Sequence, residues 1–383
     1  MLTLGVISKK LINVRYKILL FIMLFIPVVA GAQKISLGSL ITKEGNEYQG
    51  EIVSNKPHGK GTMKFRNGDS YEGEFVKGKR QGYGIYVFAD GERYEGQWQQ
   101  NQRHGQGTFF FLNNNKYEGM WYRDQQHGKG TMYYFNGDRY EGGWYRDKRE
   151  GQGRYTFAAG QYYEGMWKND MKNGAGFFDW ADGSSYRGNW VNNERSGQGL
   201  YIYASGDIYN GTWSHDLQDG KGKYTFQNGD EYNGSYVRGE RTGDGHIKFA
   251  NGDVYSGHFN HGDKSGMGTF TWSNGDSYVG NWANDKQHGR GKLTKKNGDV
   301  FDGEFRNGQP DGTIIFHGHD GTRFRGTYKK GLRNGPAIEE TKDGKRFEGS
   351  YKNGERDGDF IEKDRNGQIT ARGTYQNGRR IEQ

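Results

Sequence analysis

The chain has 383 residues and only 32% of them are hydrophobic, too few for a globular enzyme of this length, while 15% are aromatic, which excludes a disordered chain. With no cysteine it can have no disulfide, thiolate metal site or lipidated cysteine anchor. The formal charge of +8 is no nucleic-acid footprint: four of the 54 basic residues sit in the first 17 positions, the rest face 46 acidic ones, and both signs are interspersed without a basic stripe.

Residues 1–32 read as a leader. Lys9, Lys10, Arg15 and Lys17 supply positive charge, Ile18 to Ala30 is almost wholly apolar, and Ala30-Gly31-Ala32 is a small-x-small cleavage signal with Gln33 as the new N-terminus. The alternative is an inner-membrane anchor through residues 18–33, a run shorter than the ~20 residues a spanning helix needs and broken by Pro27 and Gly31. Cleavage would make the protein exported, periplasmic or at the cell surface. Residues 33–47 are expected to cap the first repeat unit, because terminal repeats need a protected edge.

From residue 48 one frame recurs every 23 residues. The leading aromatic falls at Tyr48, Tyr71, Tyr94, Tyr117 and onward to Phe347, and the glycine two residues later is never replaced, from Gly50 to Gly349. Tyr94, Gly96 and Trp98 share one face of a strand; Gly105, Gly107, Phe109 and Phe111 share one face of the next. Each unit therefore reads as two strands with one aromatic face, the rings of the first strand settling over the glycine pits of the second. Asn67-Gly68-Asp69, Asn136-Gly137-Asp138 and their sisters predict type I′ hairpins, and Asn114 in place of the glycine fits a left-handed position. The other link, such as Ala283 to Gln287, is polar and turn-like. No helix is expected beyond the leader.

The pattern Tyr-x-Gly-x-Trp, polar link, Gly-x-Gly, Asp-Gly resembles the MORN (membrane occupation and recognition nexus) repeat over about residues 45–367. The resemblance implies an all-β fold: an elongated, twisted antiparallel sheet of tandem 23-residue β-hairpins, about 14 units and about 28 strands. The regular array spans residues 48–305. After Gly291 the pattern begins to change, and residues 306–383 are the divergent end: the leading Tyr becomes Phe301, Phe324 and Phe347, the second glycine of the pair becomes Ile314, Ala337 and Phe360, and a half unit at Arg372-Gly373-Thr374-Tyr375 is one residue out of phase. Decay and capping explain this, with a C-terminal docking segment as the sharper reading.

No constellation carries chemistry, so no enzyme, cofactor or metal is expected. His58, His104, His127 and His288 share a column, but adjacent units lie about 9–10 Å apart and zinc needs ligands at about 2.1 Å. Asn-Gly-Asp at this period does not match the nine-residue calcium β-roll, and Gly-x-Gly within strands is no phosphate loop. The polar face is partly apolar in the early-middle units. Val87, Phe110 and Tyr133 occupy one outward column and Tyr122 and Tyr145 another, with Met120 and Met166 beside them; merged, these columns would make a partner-binding patch. The function expected is a non-catalytic exported scaffold for a protein partner at a membrane or envelope surface. The alternatives are a cell-wall glycan-binding module, using the repeated aromatics, and a self-assembling rod. No nucleic acid is expected.

Overall fold

The computed structural model describes residues 34–381. The leader, with its cleavage site and the alternative anchor, lies outside the described residues. All described secondary structure is β: one open sheet of 32 antiparallel strands, each bonded to its neighbours in sequence except where one strand near the C-terminal end is split in two. Among the described residues no helix is long and apolar enough to cross a membrane.

The repeat explains the strand plan. In each unit a seven-residue strand, such as β6 (Arg93–Gln99), turns back into a nine-residue strand, β7 (Gln102–Phe110). This β7 then pairs with β8 (Lys116–Tyr122) of the next unit, and β8 with β9 (Gln125–Tyr133). The excess over 28 strands lies at the ends. The edge strand β1 (Ser36–Ile41) pairs with β2 (Glu47–Val53). At the far end the last unit's second strand is split into β29 (Glu355–Arg356) and β30 (Gly358–Lys363), and β31 (Ile369–Gln376) and β32 (Arg379–Ile381) follow. A register shift between Glu362 and Lys363 absorbs the out-of-phase residue of the terminal half unit.

The turns are the reverse of the sequence expectation. At Asn67-Gly68-Asp69 only Gly68 is left-handed, at φ 95°, and its N–H donates to Phe65 C=O at 3.0 Å. That is a type I turn completed by a left-handed glycine. The type I′ turns lie at the polar links, where both central residues have positive φ: Gln100 (50°) and Asn101 (76°), Arg123 (50°) and Asp124 (69°). Asn114, at φ 64°, does substitute for the turn glycine.

The core is one sheet face. Tyr94 pairs with Phe109, and Gly96 with Gly107; a Cβ at Gly107 would stand 2.2 Å from Tyr94 Oη, so the ring lies on the glycine pair of its own hairpin. Its hydroxyl donates to Gln97 C=O at 3.0 Å. Gly105 has a different task. It sits at φ 66° in a bulge where His104, Gly105 and Gln106 oppose Gln97 alone. Tyr94 packs edge-on against Trp98 (5.2 Å) and the next unit's Trp121 (5.4 Å), so the rings form one chain along the array. Trp98 donates its indole N–H to Gly84 C=O of the preceding unit at 3.2 Å. Each fully buried ring contributes about 2–3 kcal/mol.

The C-terminal departures leave this geometry intact. β24 (Val300–Arg306) and β25 (Gln309–His317) keep the same register and bulge, and Ile314 is fully buried opposite Gly303. Phe301 has no hydroxyl, so a side chain can fill the space a tyrosine Oη takes elsewhere. Phe324 with Ala337 and Phe347 with Phe360 repeat the exchange.

Two further devices join the units. On the aromatic face a cation in the second position of the long strand lies on the next unit's tryptophan: Arg103 on Trp121 at 4.4 Å, Arg149 on Trp167 at 4.3 Å and Arg195 on Trp213 at 4.5 Å. Each also bonds the next link's aspartate, as Arg103 N–H does Asp124 Oδ1 at 2.9 Å. At the opposite rim the turn aspartate reaches one unit forward. Asp138 Oδ1 accepts from Ala158 N–H at 2.9 Å, and Oδ2 accepts from the Tyr155 hydroxyl at 2.6 Å.

Candidate functional site

The polar face is the surface left over after the core is built. Along β8 it presents Lys116, Glu118, Met120 and Tyr122, the residues that alternate with Tyr117, Gly119 and Trp121. Four rows of side chains therefore run across the array.

Val87, Phe110 and Tyr133 fall in one row, at the ends of β5 (Lys79–Val87), β7 and β9, with Arg93 and Lys116 of the intervening strands between them. The Phe110 and Tyr133 rings carry cations. Arg93 lies over Phe110 at 4.2 Å and Lys116 over Tyr133 at 4.4 Å. These cations are paired in turn with glutamates of the neighbouring row: Arg93–Glu95 at 2.8 Å and Lys116–Glu118 at 2.7 Å. Leu112 (67% exposed) and Phe135 (74%) extend the strip onto the turns. Sequence reading passed over both; the signal was available, since sister units carry Ala89, Ala158, Ala181 and Ala204 in that column.

Tyr122 and Tyr145 lie at the other rim, 44% and 47% exposed. His104 and His127 interleave with them, so His104, Tyr122, His127 and Tyr145 form a continuous stack with centroid spacings of 5.3, 5.5 and 5.3 Å. Arg123 lies over Tyr122 at 5.2 Å and Arg146 over Tyr145 at 5.1 Å. Met120 covers the bulge Gly128, and Met166 covers Gly174; in the unit between them the same position is Gly143, so the two methionines stay apart.

The structure thus holds two aromatic strips, not a merged patch. They are separated by the length of β8 from Lys116 to Tyr122, six residue steps or about 20 Å. Between them lies an open hollow of about 710 Å³, lined by Gln106, Glu118, Lys129, Glu141, Gln152 and Arg154 among others. Among the described residues no three His, Cys, Asp or Glu side chains gather around a point that could hold a metal ion.

Shifted titrations mark the joints between units. Burial pushes the Asp138 carboxyl up, but the Tyr155 hydroxyl and the Ala158 N–H outweigh it and hold the group below its usual range. The His319 N–H and imidazole hold Asp299 down at about 2. Lys172, half-buried against Trp190 at 4.1 Å, is pushed down to about 8 by that desolvation. All three belong to the inter-unit contacts, so they serve the fold.

An open meander of near-identical hairpins, with one face spent on its own core and the other on solvent, defines a tandem β-hairpin repeat protein. The chain belongs to the MORN repeat family: fourteen consecutive segments, from residues 48–70 to 347–358, match the MORN repeat. This is a non-catalytic repeat type. A comparison with curated proteins finds no match. Among solved structures the chain is similar to the TCP domain of Drosophila melanogaster SAS-4 in complex with a proline-rich motif of Ana2 (16% identity, 41% of this chain and 85% of that one, TM-score 0.27). It is also similar to the TCP10 domain of Danio rerio CPAP in complex with a STIL peptide (10%, 77% and 96%, 0.16) and to virginiamycin B lyase of Staphylococcus aureus (9%, 73% and 90%, 0.13). At these scores the likenesses carry no argument about fold or partner.

Proposed function

We propose that the protein is an exported, non-catalytic scaffold that holds a protein partner on the polar face of units two to five, at a membrane or envelope surface. The observation that carries this is the pair of aromatic strips flanking a polar hollow, built from rings the core does not use. The leader sequence supports export. Phe110→Ser with Tyr133→Ser should leave thermal melting unchanged and abolish site-specific photocrosslinking of the native partner from positions 112 and 135; unaltered crosslinking would count against the strip. Mass spectrometry of the N-terminus in fractionated host cells tests export, since a chain that keeps residues 1–32 in the membrane fraction would be anchored. The His104–Tyr145 stack, with arginines over both tyrosines, favours a second reading: sugar rings of a cell-wall polymer laid on the opposite strip. Sedimentation with purified polysaccharide, lost in Tyr122→Ser with Tyr145→Ser, would select it.

A further inference from the structure

The N-terminal edge of the sheet departs from the pattern of the rest. Among the described residues β1 pairs with β2 on one side and with nothing on the other. The Thr42 N–H donates to Asn46 C=O at 2.9 Å, which continues the β1–β2 ladder. In an antiparallel ladder inward and outward bonding alternate, so Ser36, Gly38 and Leu40 bond inward while Leu37, Ser39 and Ile41 turn their N–H and C=O groups to the free edge. Those same residues point their side chains to the polar face, where Leu37 is 84% and Ile41 75% exposed. Ser36–Ile41 contains no charge and no proline, the devices by which edge strands ordinarily refuse a neighbour. The opposite end carries them: β32 has three residues, two of them Arg379 and Arg380, and it covers only Thr374 to Gln376 of β31.

We infer that β1 is a homotypic docking edge, where a second copy of this chain adds its own β1 antiparallel across a two-fold axis at Ser39. In that register Leu37 of each copy opposes Ile41 of the second, in two equivalent cross-strand pairs. Ser39 opposes Ser39, and Leu40 lies opposite Gly38, which has no side chain to obstruct it. The residues brought together are those whose backbone groups are free, so three facing pairs exchange N–H···O bonds, and the aromatic and polar faces continue unbroken from one copy into the next. Beyond the strand, Lys34 of each copy comes to the turn that carries Glu44 of the other, a match of opposite charge. Such an isologous contact closes on itself. With the far edge short and charged, the product is a dimer of two arrays joined at their N-terminal ends, and not an open rod.

The test is sedimentation velocity over a concentration series on the chain expressed from its full reading frame, with four variants. Ser39→Pro removes only an outward N–H, a substitution edge strands tolerate, and Leu37→Lys places charge in the seam. The wild type should pass from monomer to dimer as concentration rises, and each of these variants should weaken dimerisation at least about tenfold without altering thermal melting. Met267→Lys, an exposed apolar side chain far along the array and outside both strips, should dimerise as the wild type. Ser39→Cys supplies the one cysteine in the chain and should give a disulfide-linked dimer on mild oxidation, its Cα atoms about 5.5 Å apart, within disulfide reach. A wild type monomeric throughout, dimers unaffected by Ser39→Pro and Leu37→Lys, or continued growth beyond the dimer would each overturn the inference.

Discussion

Gly107 offers a direct test of how the core is built. Its backbone has an ordinary conformation, so only space forbids a side chain, and a Cβ there would stand 2.2 Å from Tyr94 Oη and 2.5 Å from two of its ring carbons. Tyr94 is completely buried and wedged between Trp98 and Trp121. Gly107→Ala must therefore displace it. Overpacking costs about 1–3 kcal/mol, and expelling the ring adds the loss of two aromatic contacts of about 0.5–1.5 kcal/mol each; about 3 kcal/mol is expected. Tyr94→Phe alone loses the hydroxyl bond to Gln97, about 1 kcal/mol. Combined with it, Gly107→Ala should cost less than it does alone, about 1–2 kcal/mol, because the closest atom is gone and the ring, no longer tied to Gln97, can shift off the new methyl. The chain makes this exchange itself at Phe324 and Ala337. Urea titration followed by tryptophan fluorescence, with hydrogen exchange of β6 and β7 to localise the effect, would measure the cycle. Local exchange matters because stability in a repeat array is a sum of units and interfaces. Additive costs, or a Gly107→Ala protein within about 0.5 kcal/mol of wild type, would refute the reasoning.

Arg103→Ala should destabilise units three and four by about 1–2 kcal/mol through loss of the Trp121 stack and the Asp124 pair, whereas Arg103→Gln should cost less, since Gln126 stands in that column one unit on; thermal melting compares them. Asp138→Ala should cost about 1–2 kcal/mol and raise exchange at Ala158 N–H specifically. Asp299 titrates below its unfolded value, at about 2, so its stabilisation is whole above about pH 4 and is lost as pH falls towards 2. His319 is raised by the same pairing, with the Asp299 hydrogen bond first among its causes, so its share is present below its ordinary value and lost as pH rises through the higher folded one. Melting temperatures of His319→Ala and wild type should therefore differ most between these limits and converge at the acid extreme.

The Tyr and Gly columns were legible in the sequence because the period is unbroken and both residues act inside one hairpin. The contacts between units were not. Asp138 meets Ala158 across twenty residues, and a backbone N–H leaves no mark in a sequence. The cation column was hidden because Arg103 and Arg149 alternate with Gln126, Lys172 and Pro310, which together look like any polar link. The turns were exchanged for a physical reason. Asn-Gly does favour a type I′ hairpin, but Asp69 binds the Asn67 side chain, Nδ2 to Oδ2 at 2.8 Å, and the longer turn wins. The glycine at 105 was read as a pit and is a bulge. The outward residues were assigned to the right face, but their rows could not be ordered from the strand pattern alone, and so two strips were read as one.

The unbroken succession of neighbours has a mechanical meaning. Because each hairpin bonds only to those before and after it, tension applied between the two ends of the array pulls along the interstrand hydrogen bonds and loads them one rung at a time. Such a sheet yields like a zipper, hairpin by hairpin at modest force, each unit paying out about 70 Å of chain while its neighbours stay folded. Held at one end and loaded at the other, the protein would behave as an extensible tether of some fourteen steps, able to lengthen under strain and to recoil when released.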